Sequence, residues 1–208
     1  MTEQKIDRFE GEIENFRRFD NRNSFPINPV LFIGSSSIVY WETSISFPEF
    51  PIINRGFGGA SLPEIIHYYD DIIKKYSPSV LVIYCDTDVE KGKSPVVAVN
   101  DFMELVNRVR KDFPETEIII ISMKLTLIDY FLGKDVRANK IIANKKLSEY
   151  CSDKKNLHFI DIVIPMLNPD GSLRSDIFLK DRMHLNHSGY KLWDSTLREK
   201  IESLTTLE

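Results

Sequence analysis

Pro29-Val30-Leu31-Phe32-Ile33-Gly34-Ser35-Ser36-Ser37 is the stretch on which the fold turns. Its first five residues are apolar without interruption, which reads as a strand buried on both faces rather than one with a wet side. The abrupt change to glycine and three serines reads as a turn at the strand's carboxyl end. Strands buried on both faces occur in parallel sheets, where helical crossovers cover each face.

Four more short apolar runs follow, at 51–54, 79–85, 117–122 and 157–161, against 30–34 for the first. Helical patterns separate most of them, at roughly 62–76, 94–112, 136–152 and 188–203. Ser61-Leu62-Pro63-Glu64 is a capping box with proline in the first turn, and Ser94-Pro95 repeats the cap-plus-proline signal. Strands alternating with helices of this length predict right-handed crossovers and an α/β architecture, a mostly parallel five-stranded sheet with helices on both faces. Upstream, Ile6, Phe9, Ile13 and Phe16 recur at helical spacing over 5–19, so residues 1–28 read as an amphipathic helix and linker packed as a flap on a single domain, 1–208. That length suits one domain, since domains usually run roughly 100 to 200 residues.

Composition narrows the partners. A hydrophobic content of 42% supports a sizeable core, and a net charge of −4 spread over both signs leaves no footprint for a polyanion, so nucleic acid is not an expected partner. Cys85 and Cys151 each sit in apolar or helical patterns, which predicts two reduced thiols and neither a disulfide framework nor a cysteine zinc site. The charged N-terminus lacks the apolar stretch of a secretory signal, and the longest apolar run, Ile118 to Ile121, is far short of the ~18 residues that span a bilayer. A soluble, cytoplasmic protein with no membrane span is expected.

In doubly wound sheets the ligand site lies outside the carboxyl ends of the strands. The serine cluster follows the first strand, Asn54-Arg55-Gly56-Phe57-Gly58-Gly59 the second, and Asp86-Thr87-Asp88 the third, so all three face one edge. A Gly-Ser-Ser-Ser turn by itself is more often a loop or a helix cap than a nucleophile. Near the C-terminus, however, Asp181-Arg182-Met183-His184-Leu185-Asn186 sets a carboxylate and an imidazole three residues apart, and a histidine held by an acid can deprotonate a hydroxyl. His67, His158 and His187 fall in a helix, a strand and a helix start, where structure accounts for them.

Leu31-Phe32-Ile33-Gly34-Ser35-Ser36-Ser37-Ile38 with Trp41, the Asn54 to Gly59 segment, and Asp181, His184, Leu185-Asn186 and Gly189-Tyr190 together resemble the blocks of the SGNH or GDSL-like hydrolases over about residues 5 to 200, in a bacterial branch that writes Gly-Ser-Ser-Ser in the first block. The resemblance implies a three-layer α/β/α fold with a flavodoxin-like sheet and a serine esterase or acylhydrolase acting on a small acyl ester. It implies a triad of Ser36 as nucleophile, His184 as base and Asp181 as its orienting acid, and no metal or organic cofactor. The Ser36 and Gly59 backbone N–H groups would form the oxyanion hole. Activity would rise through about pH 6 to 8 as the base becomes neutral.

The third block departs from the pattern: Cys85-Asp86-Thr87-Asp88 stands where the family writes Gly-x-Asn-Asp, so Thr87 replaces the asparagine that completes the oxyanion hole. A threonine hydroxyl can donate, over a shorter reach. Lys124 to Asp129 likewise lacks the proline and serine that the branch carries after the fourth strand. These departures leave a second reading open, a catalytically weak or inactive chain that keeps the fold to bind a ligand or partner. Three other signals fail. Gly56-Phe57-Gly58-Gly59-Ala60-Ser61 lacks the third glycine of a dinucleotide turn, and Asp86, Asp88 and Glu90 lack the glycine and glutamate of a calcium loop. Lys91-Gly92-Lys93 reads as a solvated loop more readily than as an anion site.

Overall fold

The computed structural model describes residues 7–205. Five strands, β1 (Val30–Gly34), β2 (Ile52–Gly56), β3 (Val80–Tyr84), β4 (Glu117–Ile121) and β5 (Leu157–Ile160), run parallel in the order β2-β1-β3-β4-β5. Ten α-helices are described: α1 (Glu10–Arg22), α2 (Ser36–Val39), α3 (Thr43–Ser46), α4 (Leu62–His67), α5 (Tyr69–Ile72), α6 (Thr87–Glu90), α7 (Pro95–Asp112), α8 (Asp129–Leu132), α9 (Val136–Cys151) and α10 (His187–Thr205). This is the three-layer α/β/α arrangement with flavodoxin-like strand order.

The two-residue period of the strands sorts one apolar run into two cores. Leu31, Ile33, Leu81, Ile83, Ile118 and Ile120 face the layer that includes α1, α4, α5, α7 and α9, while Val30, Phe32, Val80, Val82, Ile119 and Ile121 face Trp41, Trp193, Leu197 and Ile201. All of these strand residues are fully buried, and each contributes about 1.5 to 3 kcal/mol by leaving water. The capping box at Ser61 and Glu64 is present, and Ser94 caps α7 with proline in its first turn.

The expected helix over 62–76 is instead three pieces, α4, α5 and a 3-10 turn at Lys74–Tyr76. Adjacent pairs Tyr68/Tyr69 and Ile72/Ile73 are all buried, and one stripe of a regular helix cannot present both members of each pair to the same core. The N-terminal segment begins in a 3-10 turn, Asp7–Phe9, and runs on to Arg22; Ile6 lies outside the described residues. It is anchored rather than loose. Ile13 is fully buried, Phe9 meets Phe57 edge to face, Arg17 forks onto Asp71 through Nε and Nη2, each at 2.8 Å, and Asp20 pairs with Arg55 at 2.6 Å. No helix among the described residues is long and apolar enough to cross a membrane.

For the site, register matters most. Gly34 pairs with Gly56 on one side and Tyr84 on the other, so β1, β2 and β3 end level and release their loops side by side. The order reverses between β1 and β3, which is where such sheets open a crevice.

Candidate active site

At Gly34 a β-carbon would lie 1.9 Å from the Tyr84 carbonyl oxygen, so only glycine lets β1 end against β3. Ser35 is extended and Ser36 opens α2, so the chain passes from strand to helix at the sheet edge within two residues of Gly34. Ser35 and Ser37 are each 1% exposed, whereas Ser36 is half-buried and open to the crevice.

Opposite it, the loop before α10 folds around one carboxylate. Asp181 Oδ1 accepts the backbone N–H groups of Met183 and His184, both at 2.9 Å, and Oδ2 accepts His184 Nδ1–H at 2.7 Å. Arg182 takes a left-handed φ of 60° to make this turn, and its carbonyl accepts Leu127 N–H from the loop after β4. With Nδ1 protonated toward the carboxylate, Nε2 is the acceptor, and the Ser36 hydroxyl donates to it at 2.9 Å. Burial works to raise the Asp181 carboxyl; the imidazole and the two N–H groups outweigh it and hold it below its ordinary value. Tyr40 stands edge-on to the imidazole, ring centres 4.8 Å apart, on the rim of a cleft of about 410 Å³ lined by Ile45, Leu179, Leu185 and Tyr190 among others.

The rest of the C-terminal segment is scaffolding for this loop. Asn186 Oδ1 accepts Gly189 N–H at 3.1 Å and caps α10, while its amide donates to the Asp176 carbonyl at 2.7 Å. Tyr190 hydroxyl donates to the Ser37 carbonyl at 2.8 Å, tying α10, the helix that follows the His184 loop, to the serine turn.

On the other flank, Gly59 has φ 75° in a turn closed by Ala60 N–H to the Phe57 carbonyl, a conformation that asks for glycine. Its carbonyl accepts from Arg8 at 3.0 Å and Lys91 at 3.1 Å, and Arg8 also forks onto Glu64 at 2.7 and 3.0 Å. Asp88 accepts Leu62 N–H at 2.8 Å and pairs with Lys93 at 2.7 Å, fastening the loop after β3 to that after β2. Thr87 opens α6 and is 6% exposed. The three positions expected to donate to an oxyanion, Ser36, Gly59 and Thr87, thus lie on loops from adjacent strands. Asn54 and Arg55 play structural parts: Asn54 amide reaches the Ile38 and Trp41 carbonyls, and Arg55 pairs with Asp20.

Beneath the serine turn lies a charged cluster that sequence reasoning missed. Lys124, 2% exposed, donates to Ser37 Oγ at 3.0 Å, Asp86 Oδ2 at 3.0 Å and Tyr84 hydroxyl at 3.2 Å. Lys140, fully buried, donates to Glu90 at 2.8 Å and Asp129 at 2.9 Å and lies 3.7 Å from Asp86. Burial alone would raise the Asp86 carboxyl, but Lys124, Lys140 and the Tyr84 hydroxyl hold it well below the usual carboxylate range. Glu90 goes the other way, raised by burial and by the Asp86 charge. A lysine after a strand end carries no sequence signal of burial, and the only hint was the unusual Lys124-Leu125-Thr126 stretch itself.

The weaker signals find structural roles. His158 bonds Glu117 at 2.6 Å across β4 and β5, and both cysteines are buried and free, with burial raising each thiol. Lys93 is spent on Asp88 and Asp101. Among the described residues no group of three or more His, Cys, Asp or Glu side chains is arranged to hold a metal.

No family model matches the chain, and no curated protein matches it. Solved structures do. A protein from Streptococcus pneumonia, provisionally described as a platelet activating factor, superposes with a TM-score of 0.81 at 22% identity over 96% of this chain and 95% of its own. A provisionally described acylhydrolase from Bacteroides fragilis gives 0.76 at 19% identity over 91% and 97%, and a GDSL-like lipase from Bacteroides thetaiotaomicron gives 0.76 at 17% identity over 92% and 97%. The chain therefore has the fold of the SGNH and GDSL-like hydrolases, as the sequence blocks led one to expect.

Proposed function

We propose that the chain is a serine esterase or acylhydrolase of SGNH type that cleaves small acyl esters. The observation carrying this reading is the unbroken relay from Asp181 to His184 at 2.7 Å and on to Ser36 at 2.9 Å, the second contact joining residues 148 apart in sequence. A carboxylate, an oriented imidazole and a half-buried serine at a helix start are the parts that acyl transfer needs. Likeness in fold to the GDSL-like lipase supports it.

In this mechanism Ser36 Oγ attacks the ester carbonyl as His184 Nε2 takes its proton. The oxyanion is met by the Ser36 and Gly59 N–H groups, with the Thr87 hydroxyl as third donor. Collapse breaks the ester C–O bond, and His184 returns the proton to the departing alcohol. Water then enters, loses a proton to His184 and releases the carboxylic acid, restoring Ser36. Asp181 holds the tautomer and stabilises the transient imidazolium.

Ser36→Ala and His184→Ala should each abolish hydrolysis of short p-nitrophenyl esters without loss of fold. Activity retained by either variant would sink the assignment. A native chain that neither hydrolyses esters nor labels at Ser36 with a fluorophosphonate would favour a ligand-binding role, the reading that Thr87 at the asparagine position motivates.

A further inference from the structure

We propose that the buried Asp86–Lys124 ion pair is the positioning device of the serine turn, gripping Ser35 and Ser37 from beneath so that Ser36 alone faces His184. This deepens the esterase reading and rests on it. Ser35 hydroxyl donates to Asp86 Oδ1 at 3.5 Å, and Ser37 Oγ accepts from Lys124 at 3.0 Å, so each serine flanking Ser36 is tied to one member of the pair. The pair closes on itself at 3.0 Å and spans the ends of β3 and β4.

The donor count makes the grip directional. An ammonium has three N–H bonds, and Lys124 has three acceptors, Ser37 Oγ, Asp86 Oδ2 and the Tyr84 hydroxyl oxygen, so none is left over. Tyr84 in turn donates to Asp86 Oδ2 at 2.5 Å. A buried ion pair is a poor source of stability compared with apolar packing, and in some systems such buried polar groups instead specify one arrangement of the chain. Here it accounts for the run of three serines: two are tethers and the middle one is free. The Tyr190 bond to the Ser37 carbonyl holds the same residue from the histidine side. Because a misplacement of about 1 Å can cost on the order of 100-fold in rate, a device that holds the two neighbours acts on turnover through Ser36.

Two variants test this. Ser37→Ala removes one tether and leaves both charges paired, and Lys124→Met/Asp86→Asn removes the pair together, so that no lone charge is buried. Each is assayed for kcat and KM on p-nitrophenyl acetate and for the rate and final extent of fluorophosphonate labelling at Ser36. The expected result is a fall in kcat of about 10- to 100-fold with KM within about twofold, in protein that still labels to one probe per chain. If kcat per labelled site stays within about twofold of native in both variants, or if lost activity only tracks a lost labelled fraction, the positioning role is overturned. A native chain that fails to label at all would instead overturn the esterase reading, and this proposal with it.

Discussion

Replacing Asp181 by asparagine should cost roughly 400-fold in kcat, and the figure follows from how the carboxylate is held. Oδ1 is committed to two backbone N–H groups at 2.9 Å each, and Oδ2 to the imidazole at 2.7 Å. An asparagine that keeps its oxygen on the two N–H groups must turn its NH₂ toward His184 Nδ1, which forces the proton onto Nε2 and leaves Ser36 facing a donor. Turning the amide over restores the tautomer but loses two hydrogen bonds, about 2 kcal/mol at roughly 1 kcal/mol each. Only about one molecule in 30 then has a working base. The lost charge on the imidazolium adds about 1.5 to 3 kcal/mol, taken at the low end because the Asp181 side chain is 48% exposed and solvent screens it. The total, about 3.5 kcal/mol, is roughly 400-fold at about 1.36 kcal/mol per factor of ten, below the ~10⁴-fold seen when more deeply buried triads take the same change. Steady-state hydrolysis of p-nitrophenyl acetate at neutral pH, with thermal melts as a control, measures it. An Asp181→Asn chain within tenfold of native turnover would refute the reasoning about the tautomer.

Thr87→Val should lower kcat by about 100-fold if the Thr87 hydroxyl is the third oxyanion donor, since one donor is typically worth on the order of 100-fold or more; an unchanged kcat would place Thr87 outside the hole. Lys140→Met leaves Asp129, Asp86 and Glu90 without their shared cation, so urea unfolding should register a loss of about 3 to 5 kcal/mol and melting a fall of roughly 6 to 20 °C, and a loss under about 1 kcal/mol would contradict it. Asp86 and Asp181 are both held below their ordinary values, so each contributes stability above the ordinary carboxylate range, near pH 4, that is lost as pH falls through its folded value. Glu90, raised, has the opposite sign and costs stability as pH rises from its ordinary value to its folded one. Stability measured against pH should therefore decline on the acid side, and the decline should flatten in Lys124→Met/Asp86→Asn.

Strands and long helices were legible because burial on both faces of a sheet and the covering of one helix face leave unmistakable apolar periods. Ser36, His184 and Asp181 could be picked out as candidates because strand ends and short-range acid–base spacing are local properties. What escaped was tertiary. The short helices α2, α3, α6 and α8 are single turns too brief to show a period, and the break at Tyr68 reflects adjacent buried residues that a period treats as noise. Lys124, Lys140, Asp86 and Asp129 look like surface residues until the ends of β3 and β4 meet α8 and α9. Arg8 belongs to a segment that reads as a flap, yet it reaches 51 residues along the chain to the Gly59 carbonyl.

The changes around the third loop are best understood as one physical substitution. A carboxylate at position 86, beneath the serine turn, would be an uncompensated buried charge without a cation, and Lys124 and Lys140 supply two. Once both ammonium groups are inside, they need further acceptors, which Ser37, Tyr84, Glu90 and Asp129 provide. Asp86 and Lys124 are therefore coupled: removing Asp86 leaves Lys124 with only the neutral acceptors Ser37 and Tyr84, and removing Lys124 leaves Asp86 to Lys140 at 3.7 Å. Thr87 is outside this web, with no ion-pair partner to lose. On the esterase reading, the oxyanion side of the site can accordingly be altered by a single residue, whereas the support beneath Ser36 is coupled through several.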